Sequence, residues 1–187
     1  MADAAARARR LFVGVELDTD ARAACAAVAE ELQKTGLAAK YESPQKLHVT
    51  LAFLGNVEAS RFDATVSTLP FIAKALAPFS LMLDKLGAFP HERKPRVVYI
   101  GSREQGAAFR ALAQNARKAF AALGFSFDED VVAHVTIARV KGATRPLPLV
   151  EVAPIRLEVQ SIALFESLFD KQLNTSRYEI VMTAPLG

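Results

Sequence analysis

The chain has 187 residues, of which 51% are hydrophobic and 23% are charged, with a net charge of +3 at pH 7. This composition predicts a globular protein with a sizeable core and excludes disordered and fibrous classes. Residues 1–10 lack the apolar run of a signal peptide, and no segment approaches the ~18 apolar residues of a membrane helix, so we expect a cytoplasmic protein. One cysteine, Cys25, excludes an internal disulfide and a cysteine-based zinc cage.

The first half of the chain begins with a strand and a helix. Apolar residues 11–17 predict a largely buried strand. A helix should follow, with Asp18 or Thr19 as its N-cap and Gly36 just beyond its end. The apolar stripe of this helix has spacings of four, three and four, and consists of Ala21, Cys25, Val28 and Leu32.

The next stretch contains the pattern histidine, apolar, threonine, apolar. A short strand at Lys40 and Tyr41 and a turn at Ser43 and Pro44 should lead into a strand over residues 47–54. Side chains alternate along a strand, so one face should carry a histidine, a hydroxyl and a small residue. These three are His48, Thr50 and Ala52. The residues that should pack beneath them are Val49, Leu51 and Phe53.

Three further elements separate this motif from the second half. Residues 59–76 predict a helix that Pro70 must break or kink, and residues 79–83 predict a strand. Residues 87–95, with two prolines and several charges, predict a loop. The loop contains His91, the third histidine, which we expect to be exposed.

The second half repeats the first at a constant offset. Residues 97–101 predict a strand, and a helix with an apolar stripe should follow, ending at Gly124. The stripe is Phe109, Leu112, Ala116, Phe120 and Leu123. A second motif then begins at His134. Leu11 and Val97 each lie 37 positions before their motif histidine, so the offset between halves is 86, which predicts a duplicated β-α-β unit.

The remainder of the chain diverges from this repeat. Residues 155–164 and 177–182 predict strands, and residues 170–176 predict a loop near the cleft. We therefore expect one two-lobed domain over residues 1–187, with lobes at roughly 10–86 and 96–183 and strands exchanged between them.

Two opposed histidines suit a reaction that needs one group to accept a proton and another to donate one. Imidazole has an ordinary pKa of about 6.5, so near neutrality one ring can be neutral and the other protonated. Hydrolysis of a phosphodiester without a metal needs such a pair, and the hydroxyls of Thr50 and Thr136 could hydrogen-bond the phosphoryl oxygens. No cysteine, acid or further histidine lies at zinc-ligand spacing, and no Walker-type glycine loop or Gly-x-Ser-x-Gly elbow is present.

These motifs resemble those of the two-histidine phosphoesterases, and more narrowly the RNA 2′,3′-cyclic phosphodiesterases, formerly called 2′-5′ RNA ligases. The likeness spans residues 10–185. It rests on residues 43–55 and 134–139, and on the flanking segments 10–13, 87–90, 95–97 and 177–179 together with Ser167. It implies an α+β fold with a pseudo-twofold axis, in which two antiparallel sheets line a central cleft and helices pack outside.

The resemblance also implies the chemistry and its residues. It implies hydrolysis of a terminal 2′,3′-cyclic phosphate on RNA to a 2′-phosphate, with no metal or other cofactor. His48 would donate a proton to the 3′ oxygen, and His134 would activate water. Arg139 matches a frequent arginine of the family, although strict alternation places it on the face opposite His134. Tyr178 could stack on a terminal base.

Other interpretations of the same residues stay open. One is reversible 2′-5′ RNA ligation, which would use the same histidines. Another is a catalytically idle module that binds phosphorylated RNA ends, although such a site would more naturally use arginine or lysine. The expected partners are RNA ends, including tRNA fragments, or small cyclic nucleotides. We expect a monomer that does not contact a membrane.

Overall fold

The computed structural model describes residues 8–127, 131–142, 145–171 and 174–187. These residues form an α+β fold, as predicted. The helices are α1 (Thr19–Lys34), α2 (Ala59–Ala73) and α3 (Ala107–Ala122). The strands are β1 (Arg9–Glu16), β2 (Ala39–Tyr41), β3 (His48–Val57), β4 (Phe79–Leu83), β5 (Lys85–Phe89), β6 (Val97–Gly101), β7 (His134–Val140), β8 (Ile155–Val159), β9 (Ser161–Asp170) and β10 (Thr175–Pro185). A 3-10 turn, Pro44–Lys46, leads into β3.

The strands form two antiparallel sheets. The larger has the order β10-β9-β1-β3-β7-β6-β5, with β2 also paired to β7, on the edge opposite β6, and the smaller consists of β4 and β8. The two motif strands are neighbours at the centre of the larger sheet. They pair at Val49 and Val135, the residues that directly follow the two histidines. This junction therefore brings the two motifs together.

The helices cover the core face of the large sheet through apolar stripes. In α1 the buried residues are Ala21, Cys25, Ala29 and Leu32, and in α3 they are Phe109, Leu112, Ala113, Ala116 and Phe120. The predicted N-cap of α1 is confirmed, because the Asp18 carboxylate accepts a hydrogen bond from the Ala21 amide at 2.8 Å. Such a cap stabilises a helix by about 1 kcal/mol. Gly36 follows α1 with a φ of +72°, which suits its expected terminating role.

The loop predicted over residues 87–95 is wrong at its start, because Lys85–Phe89 is the edge strand β5. Gly87, the first residue of the predicted loop, has a packing role in this strand. A Cβ atom at Gly87 would lie 2.6 Å from the Cζ atom of Tyr99 on the neighbouring strand β6. Glycine inside a strand often marks such a close approach.

Two other elements differ from the prediction in their bounds. Residues 155–164 do not form one strand, because the chain leaves the small sheet after β8 and enters the large sheet at β9. The helix predicted over residues 59–76 ends at Ala73, one turn after Pro70. The loop predicted over residues 170–176 is shorter, with β10 starting at Thr175 and residues 172–173 outside the described residues. Within the described parts of the chain, no helix is long and apolar enough to cross a membrane.

Candidate active site

A cavity of about 610 Å³ lies beside the junction of β3 and β7. Its lining includes all six residues that the sequence singled out, which are His48, Thr50, His134, Thr136, Arg139 and Tyr178. His91 lies elsewhere, in the exposed turn after β5. The two motifs therefore line the same cavity as the two other predicted site residues, Arg139 and Tyr178.

The two imidazole rings are held in matching orientations. The Nδ1 atom of His48 lies 2.6 Å from the carbonyl oxygen of Lys46, and the Nδ1 atom of His134 lies 2.7 Å from that of Val132. In each case the carbonyl belongs to the residue two positions earlier. A carbonyl oxygen can only accept, so each Nδ1 carries the proton. Nε2 is then the nitrogen of each neutral ring that can accept a proton.

Thr50 adds a hydroxyl to the first ring. Its Oγ1 atom lies 3.1 Å from Nε2 of His48. While His48 is neutral, the hydroxyl donates and Nε2 accepts. When the ring is protonated, Nε2–H becomes a donor, and the Thr50 hydroxyl is released to donate to another acceptor.

Aromatic rings surround His48 on several sides. The ring centroids of Phe12, Tyr178 and Phe165 lie 4.8, 5.2 and 5.8 Å from that of the imidazole. Burial lowers the pKa of His48 to about 4. The hydrogen bond to the Lys46 carbonyl opposes this shift, and protonation of His134 adds to it by repulsion.

His134 lies against a different pair of rings. The centroids of Phe89 and Tyr99 are 5.2 and 5.3 Å from its imidazole. Burial lowers its pKa below the ordinary value, the hydrogen bond to Val132 raises it, and the positive charge of Arg139 lowers it further. Both rings are therefore neutral at neutral pH in the free protein.

Both motif strands contain a β-bulge at the same motif position. In β3, Thr50 pairs with Gly14 and Ala52 with Val13, so Leu51 is an extra residue. In β7, Thr136 pairs with Tyr99 and Ala138 with Val98, so Ile137 is an extra residue. A bulge reverses the alternation of side chains beyond it. Leu51 and Ile137 are 86 residues apart, so the repeat includes the bulge.

The bulges correct two predictions about which side chains face the cleft, those for Phe53 and Arg139. Ala52 and the equivalent Ala138 are buried in the core, although Ala52 also borders the cavity, as expected. Phe53 does not pack beneath the strand. It is 52% exposed, lines the cavity and stacks on Phe12 with centroids 5.4 Å apart. Arg139, which strict alternation placed on the opposite face, lines the cavity for the same reason.

The chain is similar to known phosphoesterases. The family model for LigT-like phosphoesterases matches residues 15–99. The RNA 2′,3′-cyclic phosphodiesterase of Archaeoglobus fulgidus is 37% identical over 135 residues, which cover 71% of this chain and 73% of the relative. The chain belongs to the RNA 2′,3′-cyclic phosphodiesterase family of LigT-like phosphoesterases. The enzyme of that name from Methanothermobacter thermautotrophicus is 27% identical over 95% of this chain and 94% of its own length.

Solved structures show that this LigT-like phosphoesterase has the fold of its relatives. A crystal structure of E. coli LigT complexed with 3′-AMP superposes with a TM-score of 0.78 at 24% sequence identity. The alignment covers 96% of this chain and 98% of the E. coli chain. The predicted fold class, including its antiparallel sheets and outer helices, is confirmed over nearly the whole length.

In this phosphoesterase an acid with a largely buried side chain links the two motifs. Glu42 forms ion pairs with Lys46, which precedes His48, and with Arg139 at 3.1 Å between Nε and Oε1. Its backbone amide also donates to the carbonyl oxygen of the bulged Ile137 at 2.9 Å. Burial raises the pKa of Glu42, but Lys46 and Arg139 together bring it below its usual range. The carboxylate is therefore charged at neutral pH and holds both cations.

The sequence interpretation did not identify Glu42 or Lys46. The available signal was an acid four residues before a lysine beside the motif, but this spacing implies contact only on a helix. Here the 3-10 turn brings the two side chains together. Among the described residues, no group of three or more histidine, cysteine, aspartate or glutamate side chains is placed to hold a metal ion.

Proposed function

We propose that this chain hydrolyses the 2′,3′-cyclic phosphate at an RNA end to a 2′-phosphate, using paired histidines and no metal. Family membership supports the reaction class. One observation supports the mechanism most directly: two imidazoles with matching tautomers line one cavity, each with Nδ1 held by a carbonyl, which leaves Nε2 as the nitrogen that exchanges a proton. General acid–base catalysis needs two such groups around one reacting phosphorus.

In the proposed reaction, His134 accepts a proton from the attacking water at Nε2. The water oxygen bonds to phosphorus, and the bond between phosphorus and the 3′ oxygen breaks. His48 donates its Nε2 proton to that leaving oxygen. The products are a 2′-phosphate and a free 3′-hydroxyl, and proton exchange with solvent returns both rings to their starting states.

The two low pKa values affect the two roles differently. A neutral His134 is ready to act as a base at neutral pH. His48, with a pKa of about 4, must become protonated to act as the acid. The negative charge of a bound phosphodiester favours the protonated ring and raises its pKa. We therefore propose that the bound substrate itself promotes the protonation of His48.

The remaining cavity residues would stabilise the phosphoryl group and the terminal nucleoside. Protonation of His48 releases the Thr50 hydroxyl, which can then donate to a non-bridging oxygen. Thr136 has the equivalent position beside His134. Arg139 supplies a positive charge near the developing negative charge, and Tyr178 offers its ring to a base.

The test is a product analysis with chelator-treated protein. An oligoribonucleotide ending in a 2′,3′-cyclic phosphate is incubated with the wild type and with His134→Ala. We expect a 2′-phosphate product from the wild type only, identified by its resistance to an enzyme specific for 3′-phosphates. A 3′-phosphate product, or full activity in His134→Ala, contradicts the proposal.

The same assay separates the rival interpretations. Joining to a second RNA with a 5′-hydroxyl end would indicate 2′-5′ ligation. RNA binding that depends on salt and occurs without turnover would indicate an idle RNA-end-binding module. Light scattering of the same sample tests the expected monomer.

A further inference from the structure

The cleft face of strands β10, β9, β1 and β3 carries a continuous apolar row that extends beyond the cavity. Ile180 pairs with Phe165, Phe165 with Phe12, and Phe12 with Phe53. The rings of Phe12 and Phe165 stack with centroids 4.8 Å apart and planes 8° apart. Directly paired residues point to the same face of a sheet. On the side of the histidines the half-sheet therefore presents an apolar surface in which Phe53 and Ile180 are exposed and Phe12 and Phe165 are buried.

Phe169 extends this surface away from the cavity. It lies four residues after Phe165 on β9, and β9 pairs with β10 without a bulge between Phe169 and Phe165, so both rings face the cleft side. Phe169 pairs with Ser176, and Tyr178 pairs with Ser167, which makes Phe169 a diagonal neighbour of Tyr178. Phe169 is 65% exposed, whereas Tyr178 lines the cavity and touches His48.

Two lysines accompany these rings. The Nζ atom of Lys46 lies 5.3 Å from the centroid of Tyr178. Lys40 reaches from β2 to the start of β10, where its Nζ atom lies 2.7 Å from Oγ1 of Thr175, the residue before Ser176. Lys46 therefore places an ammonium group beside Tyr178, and Lys40 places one at the start of β10, next along the chain to the pairing partner of Phe169.

Aromatic rings beside cations are the combination that binds single-stranded nucleic acid, because bases stack on the rings and phosphates pair with the cations. We propose that Phe169 and Lys40 bind the nucleotide that precedes the RNA end, with Phe169 stacking on its base and Lys40 contacting a phosphate. This inference rests on the proposed function. Tyr178 makes the surface continuous with the cavity, so a chain whose terminal phosphate lies between the histidines can reach Phe169.

The proposal predicts a defect that depends on substrate length. Phe169→Ala should lower kcat/KM for an oligoribonucleotide 2′,3′-cyclic phosphate by about 5- to 100-fold, the effect of removing one base-stacking ring. Hydrolysis of a mononucleoside 2′,3′-cyclic phosphate should stay within about twofold of wild type. Phe169→Trp should retain the activity on the oligoribonucleotide. Phe71→Ala, which removes a 76% exposed phenylalanine on α2, is the matched control and should change neither substrate.

Lys40→Ala gives an independent readout. For the oligoribonucleotide, log kcat/KM falls with the logarithm of the salt concentration. Loss of one phosphate contact should make this slope less steep by about 0.7. The salt dependence for the mononucleotide should not change. An equal loss on both substrates in Phe169→Ala, or no loss on either, overturns the inference. A change of oligomeric state in Phe169→Ala also overturns it, because the surface would then bind a second copy of the chain.

A binding measurement keeps this test separate from the proposed function. If the wild type hydrolyses neither substrate, the proposed function fails, and anisotropy of a labelled oligoribonucleotide with a 2′-phosphate end still tests the surface. Weaker binding by Phe169→Ala than by Phe71→Ala supports it. Equal binding by the two variants contradicts it.

Discussion

Strands β3 and β7 share one backbone design but place their histidines in different surroundings. The offset of 86 residues applies to the histidines, the carbonyls that hold Nδ1, the bulges, and the residues that the bulges turn toward the cleft. Around His48 the neighbours are Phe12, Phe165 and Tyr178, from three other strands. Duplication therefore explains the common geometry, and the neighbours explain the chemical difference.

The residues just beyond the two bulges also share a backbone position but differ in side-chain chemistry. The matched positions are Phe53 and Arg139, an exposed ring and a cation that both line one cavity. A phosphodiester of a nucleoside is itself asymmetric, with an apolar base on one side and an anionic phosphate on the other. The same bulge in β3 and β7 therefore allows two equivalent strands to present unlike side chains to an asymmetric substrate.

Removal of either imidazole should have the largest effect. Asparagine can keep the hydrogen bond to the carbonyl two residues earlier but cannot exchange a proton at the position of Nε2. We expect His48→Asn and His134→Asn each to lower kcat by ~10²–10⁴-fold, the usual contribution of a general acid or base. Steady-state kinetics on a 2′,3′-cyclic phosphate substrate measure this.

The pH profiles of the two variants should then differ. The wild-type profile of kcat/KM should be bell-shaped with its maximum below pH 6.5, because both free-enzyme pKa values are lowered. Each variant should lose one limb of the bell. His91→Asn, in the exposed turn outside the cavity, is the control and should keep both limbs. Loss of the same limb in both motif variants would contradict the division of roles.

The buried state of His48 should also affect stability. Its pKa is about 4 in the folded protein against about 6.5 when unfolded, so the unfolded chain binds the proton more readily. The contribution of the buried, neutral ring to the unfolding free energy is therefore fully present above pH 6.5 and decreases as the pH falls toward 4. The loss amounts to roughly 3 kcal/mol, at 1.36 kcal/mol per pKa unit.

Urea unfolding at several pH values measures this loss. Between pH 7 and pH 4, His48→Asn should lose less unfolding free energy than the wild type by about that amount. The exposed control His91→Asn should follow the wild type. A pH dependence in His48→Asn equal to that of the wild type would show that the ring titrates normally in the folded state.

The two hydroxyls should have smaller effects on the reaction. Valine has the shape of threonine but cannot donate, so Thr50→Val and Thr136→Val remove one proposed donor to the phosphoryl group. We expect each to lower kcat by about 10- to 100-fold, somewhat less than a fully buried oxyanion donor. Serine at either position should restore much of the rate. An equal loss with serine and valine would indicate that the threonine methyl group matters for packing instead.

The sequence predicted the site well where the argument depended on the repeat. A constant offset between two motifs was enough to predict that His48 and His134 line one cavity, because duplicated strands occupy equivalent places in a symmetric fold. The alternation argument failed at the bulges, since it assumes an unbroken ladder of pairs. The equal offset of Phe53 and Arg139 was the available signal that the two side chains point the same way.

Other features depend on tertiary pairing and could not be predicted from local patterns. Glu42 becomes a link between the motifs only because β2 lies along β7, which brings Glu42 to Arg139. Phe169 joins the cleft surface through the pairing of β9 with β10. Neither pairing has a periodic signature in the sequence. The strand over residues 155–164 was predicted as one element because the chain changes sheets there without a turn signal.

Removal of the Glu42 charge should have the smallest effect. It tests whether His48 and His134 titrate independently of each other. Its negative charge raises the pKa of His48, but Glu42 is not among the groups that shift His134. Glu42→Gln should therefore move the His48 limb of the kcat/KM profile to lower pH and leave the His134 limb in place, with less than about a tenfold change in the maximum. Glu31→Gln, which removes an exposed acid of α1 paired with Lys34, is the matched control and should move neither limb. If both limbs move together in Glu42→Gln, the two rings titrate as one coupled pair, and their unlike surroundings do not separate their roles.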